Sequence, residues 1–158
     1  MFKIKGKIQF DPIDVTKKHK SQSSWKKTVI VKFGCDLSNY YAWFLKRRFG
    51  VELNPPLRGA HFTIINDRID DLVYNEAKKI FNNTDIEIIY DPTIVKTDAK
   101  GHWWIKAHSQ DAQNMRNVLG LDKPYHGFHI TLGLATHLWL DHSLYIREQC
   151  RRFKLLEI

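Results

Sequence analysis

Apolar positions recur along this chain with two periods, and the alternation between them predicts the elements. Residues i and i+2 of a strand share a face, whereas a helix repeats every three to four residues. Residues 3–10 alternate on the shorter period and close at Asp11-Pro12. Residues 14–27 are polar and rich in Lys and Ser, which reads as a loop, and 28–33 form a β-branched strand. Ser38 is placed to cap a helix to Phe49, with Tyr41, Phe44, Leu45 and Phe49 as its apolar stripe and Gly50 as its end. Tyr40, Tyr41 and Trp43 read first as core. Pro55-Pro56 breaks the chain before an apolar run that contains His61. Asp70 or Asp71 opens a second helix with Val73, Ala77, Ile80 and Phe81 on one side.

Residues 84–90 predict another strand, 91–100 a loop ended by Gly101, and 102–108 a strictly alternating strand. Ser109 caps a helix containing Met115, Val118 and Leu119, stopped at Gly120. After Pro124 comes a strand through His129, and Thr136 caps a C-terminal helix to Arg152. The order is strand–helix–strand in two halves, with no repeat at sequence level beyond one tripeptide motif. This predicts an α+β fold, a mostly antiparallel pseudo-twofold sheet with helices outside, formed as a single domain over residues 1–158.

Composition narrows the class. The chain is 43% hydrophobic with five Trp, nine Phe and six Tyr, which favours an aromatic-rich globular interior over disorder. No apolar stretch has the length of a membrane span, so no membrane partner is expected. Two cysteines, Cys35 and Cys150, suggest a reducing cytoplasm. A net charge of +8 favours an anionic partner through steering. Lysines and arginines cluster at 17–27, 46–48 and 147–154, as solvated faces commonly do, so they support an anion without locating it.

The candidate chemistry lies in two tripeptides, His61-Phe62-Thr63 and His129-Ile130-Thr131. On a strand, His61 and Thr63 project from one face, as do His129 and Thr131. With the strands side by side, two imidazoles and two hydroxyls meet in one cleft. Ordinary buried strands with locally bonded His and Thr are the plainer reading. His102, Trp104, Lys106 and His108 share a face of their strand. If that face lines the cleft, Lys106 holds a phosphate and Trp104 stacks a base; otherwise Trp104 is core and Lys106 solvated. Tyr125 is a further stacking candidate. His126 and His129 with His137 or His142 make a poor metal set, since no carboxylate or Cys pair completes it, and neither metal nor cofactor is expected.

The residues Gly6-Lys7-Ile8, Phe10-Asp11-Pro12, Cys35-Asp36, Tyr40-Tyr41-x-Trp43, Gly59-x-His61-x-Thr63, Trp103-Trp104, Asn117–Leu121 and Phe128–Gly133 resemble the 2H phosphoesterase superfamily. Within it they are most similar to the phage anti-CBASS cyclic-nucleotide phosphodiesterases, also described as Swiss-army-knife RNA-repair-like proteins. The resemblance extends to about Leu134. It implies a bilobal 2H fold with a central cleft, and His61, Thr63, His129 and Thr131 as catalytic residues. It also implies metal-independent cleavage of cyclic di- or trinucleotide signals such as 3′3′-cGAMP, counteracting bacterial CBASS defence. The expected location is then the host bacterial cytoplasm, with no obligate protein partner.

Imidazole suits both halves of such a reaction, because its reference pKa of about 6.5 lies near working pH. One histidine activates the ribose 2′-OH, the other protonates the leaving 5′-oxygen, and the threonines donate to the non-bridging oxygens. The residues leave open which histidine does which. Two alternatives remain: a 2H enzyme acting on RNA ends or 2′,3′-cyclic phosphates, and a non-catalytic nucleotide- or RNA-binding module.

Overall fold

The structure, a computed structural model, describes residues 1–12, 27–56, 58–97 and 101–135. The elements run β1 (Phe2–Phe10), β2 (Lys27–Lys32), α1 (Cys35–Phe49), β3 (Leu53–Asn54), β4 (His61–Asp67), α2 (Asp71–Phe81), β5 (Asp85–Thr97), β6 (His102–His108), α3 (Gln110–Val118) and β7 (His129–Ala135). This is an α+β fold in which every strand pairing given is antiparallel. The strand order is β3-β7-β4-β2-β1-β5-β6, and β6 pairs back onto β7, so six strands close into a barrel with β3 attached to β7.

Closure follows from the hydrophobic pattern. Even-numbered positions of β1 and β4 and odd-numbered positions of β6 are apolar, giving Ile8, Phe10, Phe62, Ile64, Trp103 and Ile105 one common face. The helices pack on that face: Phe49 stacks on Trp103 with ring centroids 6.5 Å apart, and Tyr74 packs on Phe10 at 5.1 Å. A six-stranded barrel has no room for helices inside it. The helix-covered face is therefore the outer one, and the alternate positions form the inner one, which is open to solvent at Lys3, Lys5 and Lys7.

The two halves repeat one plan. Apart from the short β3 between α1 and β4, β1-β2-α1-β4 and β5-β6-α3-β7 have the same element order, and the ring β4-β2-β1-β5-β6-β7 reads as a palindrome when β1 is matched to β5, β2 to β6 and β4 to β7.

Several local expectations are corrected. The predicted 91–100 loop is a strand as far as Thr97, because β5 continues past an irregularity between Tyr90 and Val95 to pair with β6. Helix α1 starts at Cys35 after Gly34, so Ser38 is not its cap; the Ser38 hydroxyl accepts from the Ala60 N–H instead. Tyr41 is core and donates its hydroxyl to the Pro92 carbonyl, but Tyr40 and Trp43 are exposed, at 49% and 59%. Asp70 does cap α2, yet the helix is rotated from the predicted phase: Tyr74 and Ala77 are buried, while Val73 and Ile80 face out. Val118 is likewise exposed, and α3 buries Ala112, Met115 and Arg116. Strand β3 has no counterpart in the sequence reading. β2 begins at Lys27, inside the predicted loop, whose remainder and the predicted 136–152 helix lie outside the described residues. Among the described residues no helix is long and apolar enough to cross a membrane.

Candidate active site

The four motif residues meet on the inner face at the seam of the two halves. Strands β4 and β7 are antiparallel neighbours in a register that sets His61 opposite Thr131 and Phe62 opposite Ile130. Continued by one residue, the same register puts Thr63 opposite His129. A twofold axis through the Phe62/Ile130 pair thus exchanges the motifs. Directly opposed residues of an antiparallel pair lie on one face, and diagonal neighbours stand about 7–8 Å apart, their Cβ atoms somewhat closer. His61 and His129 stand on such a diagonal, a spacing that admits a phosphate between two imidazoles.

The symmetry reaches beyond the tripeptides. Pro56-x-Arg58-Gly59-Ala60-His61-Phe62-Thr63 and Pro124-Tyr125-His126-Gly127-Phe128-His129-Ile130-Thr131 share the pattern Pro-x-x-Gly-x-His-x-Thr. That repeat is readable in the sequence by superposing the motifs, so the reading of no repeat beyond them was too narrow. In each copy the glycine N–H donates to the proline carbonyl at 2.8 Å, closing a turn. The glycines Gly59 and Gly127 adopt φ of 70° and 68°, a left-handed conformation that other residues enter at a cost. Each motif strand also carries one extra residue just after its threonine. Ile64 is skipped in the β2 register and Leu132 in the β6 register. Bulges of this kind re-aim side chains next to active sites.

The turn fixes the ring. The Gly59 carbonyl lies 2.8 Å from His61 Nδ1, and the Gly127 carbonyl 3.0 Å from His129 Nδ1. A carbonyl only accepts, so each Nδ1 carries the proton. When the imidazole is neutral, its lone pair is on Nε2, the nitrogen left for chemistry. Both rings are held below the ordinary imidazole pKa. Burial is the first cause at His61, opposed by the bond to the Gly59 carbonyl and reinforced by positive charge at Arg58, His129 and Lys32. Burial leads at His129 as well, with the Gly127 carbonyl opposing and His126 adding to the depression. No carboxylate figures among the influences on either ring. Among the described residues the side chains whose charge acts on the two rings are therefore all basic.

The walls are built by the outer neighbours. Lys32 of β2 stands across from His61, and Lys106 of β6 across from His129. Trp104 stands across from Thr131, is half-buried, and meets the His129 ring edge-on at 6.1 Å. Trp104 is thus on the inner face, and its neighbour Trp103, at 1% exposure, is the core tryptophan. Lys106 is exposed. Tyr125 is 95% exposed and packs edge-on against His126 at 4.7 Å, on the turn that carries His129. Across the dyad from Trp104 stands Ile30, opposite Thr63. One wall is aliphatic and the other aromatic.

Lys32 and Arg58 were missed by the sequence reading. Lys32 pairs with His61 as Lys106 pairs with His129, and Arg58 occupies the repeat position of His126. Arg58 was recoverable from the repeat. Among the described residues no group of three His, Cys, Asp or Glu side chains is arranged to hold a metal ion, and His137 and His142 lie outside those residues. Comparison with family models, curated proteins and solved structures returned no match for this chain.

Proposed function

We propose that this chain is a 2H-type phosphodiesterase of bilobal organisation that cleaves cyclic di- or trinucleotide signals at 3′-5′ bonds by metal-independent acid–base chemistry. The observation that carries the reading is the dyad register of β4 and β7, which gives one phosphate an imidazole on either side and a threonine hydroxyl beside each. The palindromic strand order supports two lobes meeting at that seam.

In the reaction, neutral Nε2 of one histidine takes the proton of the ribose 2′-OH, whose oxygen attacks phosphorus. The P–O5′ bond breaks, and the departing oxygen receives the proton of the other imidazolium. The Thr63 and Thr131 hydroxyls donate to the non-bridging oxygens as charge builds there. The product is a 2′,3′-cyclic phosphate, which water can open at the same site by the reverse proton movements. The Nδ1–H bonds to Gly59 and Gly127 keep each Nε2 aimed inward. Trp104 supplies a stacking surface and Lys106 a cation on the His129 side. A role against CBASS defence follows if the signal is the physiological substrate.

The test is chromatographic: 3′3′-cGAMP and an RNA ending in a 2′,3′-cyclic phosphate are incubated in excess EDTA. Conversion of the cyclic dinucleotide to linear 3′-phosphorylated product supports the reading. Turnover of the RNA end alone moves the assignment to RNA processing, and tight binding without turnover makes the chain a nucleotide-binding module.

A further inference from the structure

The twofold exchange that relates the motif histidines breaks at the turn in front of them. The position before the glycine is Arg58 in one copy and His126 in the other. His126 is exposed and occupied with Tyr125. Arg58 is half-buried on the turn closed by Pro56 and Gly59, whose next bond fixes the His61 ring. Among the described residues its guanidinium has neither a carboxylate nor a carbonyl partner, and none of its nitrogens is fully buried, so its five N–H donors stay open to solvent or to a ligand. Burial lowers its pKa, and its charge is felt at His61.

The contrast within the molecule is informative. Arg116, the buried arginine of α3, has every face of its guanidinium answered, by the carbonyls of Ile64 and Asp122 and by Asp67. A structural arginine in this fold is thus fully bonded, and Arg58 is not. Its location also decides what it serves. The phosphate on the dyad already has two imidazoles and two hydroxyls, disposed symmetrically. Arg58 lies off the dyad, on the His61 side only, where Lys32 adds a second cation.

Building on the phosphodiesterase reading, we propose that Arg58 binds a second phosphate of the substrate, one nucleotide away from the scissile one. The site then selects oligonucleotides carrying at least two phosphates over monophosphates and dinucleoside monophosphates. Guanidinium suits this task because it meets phosphate oxygens with paired, parallel N–H donors.

The experiment measures binding without turnover, by calorimetry with 3′-AMP and adenosine 3′,5′-bisphosphate, for wild type, Arg58→Gln and Arg58→Lys. Kinetics on ApA and pApA are run beside it. Wild type is expected to prefer the bisphosphate, and Arg58→Gln to lose about ten- to a hundredfold for it while its affinity for 3′-AMP is unchanged. Arg58→Lys should recover part of that preference. The loss in kcat/KM should be at least tenfold larger for pApA than for ApA, any loss common to both reporting the charge removed from beside His61. Equal weakening toward both ligands would place Arg58 on the scissile phosphate and overturn the proposal, as would no effect on either. Wild-type protein that binds neither ligand and cleaves neither dinucleotide defeats the phosphodiesterase reading itself, and this inference with it.

Discussion

Replacing Arg116 with methionine should cost this fold about 4 kcal/mol, and the figure can be built from its partners. Arg116 is 2% exposed and sits near the end of α3. Its Nη1 donates to the Ile64 carbonyl at 2.8 Å and to Asp67 at 2.7 Å, while Nε donates to the Asp122 carbonyl at 2.7 Å. Methionine keeps most of the apolar stem but supplies no donor. The Ile64 carbonyl is then left buried without this partner, and the Asp122 carbonyl partly so, at about 1–3 kcal/mol each. Asp67 is more than a third exposed, and its lost pairing is screened to about 0–1 kcal/mol. For a chain of this size each kcal/mol moves the midpoint by about 2–4 °C, so Tm should fall by about 8–16 °C. Urea titration followed by tryptophan fluorescence and far-UV dichroism gives the loss directly. Arg116→Lys should recover only part of it, since one ammonium cannot span the partners, and Asp67→Asn should cost under about 1 kcal/mol. A loss below about 1 kcal/mol in Arg116→Met would refute the claim that this side chain ties the Ile64 bulge to the loop leading to His129.

Three other consequences concern the site. Since burial and neighbouring cations hold both imidazoles low, the free protein loses its needed proton at acidic pH, whereas a bound phosphate favours imidazolium and raises the pair. The alkaline limb of kcat/KM should therefore fall below the usual imidazole value of about 6.5, with that of kcat at higher pH; limbs that coincide or stand in the reverse order would contradict this. Thr63→Val and Thr131→Val should each lower kcat by about a hundredfold or more with the dichroism spectrum intact, a result checked by single-turnover kinetics. Gly127→Ala meets open space but a φ of 68°, so it should cost about 1 kcal/mol in urea titration and lower activity more than stability, by turning the His129 ring.

The candidate site was readable because it rests on the strictest rule a sequence offers, the two-residue period of a strand. That rule put His61 with Thr63 and His129 with Thr131 before any pairing was known. It also put Trp104 and Lys106 on one face, and left only the choice of face to the structure. What the pattern could not convey was the extra residue at Ile64 and Leu132, since a bulge looks like ordinary apolar sequence. The 91–97 stretch was misjudged because Asp91-Pro92 reads as a turn, whereas pairing to β6 carries the strand through it. Helix phase failed at Val73, Ile80 and Val118 because each lies on an exposed face that tolerates an apolar residue. Arg116 resembled any solvated cation, and only the topology showed three partners converging on it.

On the phosphodiesterase reading, His61 and His129 act as one acid–base pair across the dyad. Single-turnover cleavage of 3′3′-cGAMP in EDTA, compared for wild type, His61→Ala, His129→Ala and the double variant, tests it most directly. Groups that act as a unit are not additive, so each single variant should lose at least about a hundredfold, and the double variant scarcely more than the worse single. Additive losses, or a single variant that keeps near wild-type cleavage, would contradict a shared mechanism across the seam of β4 and β7.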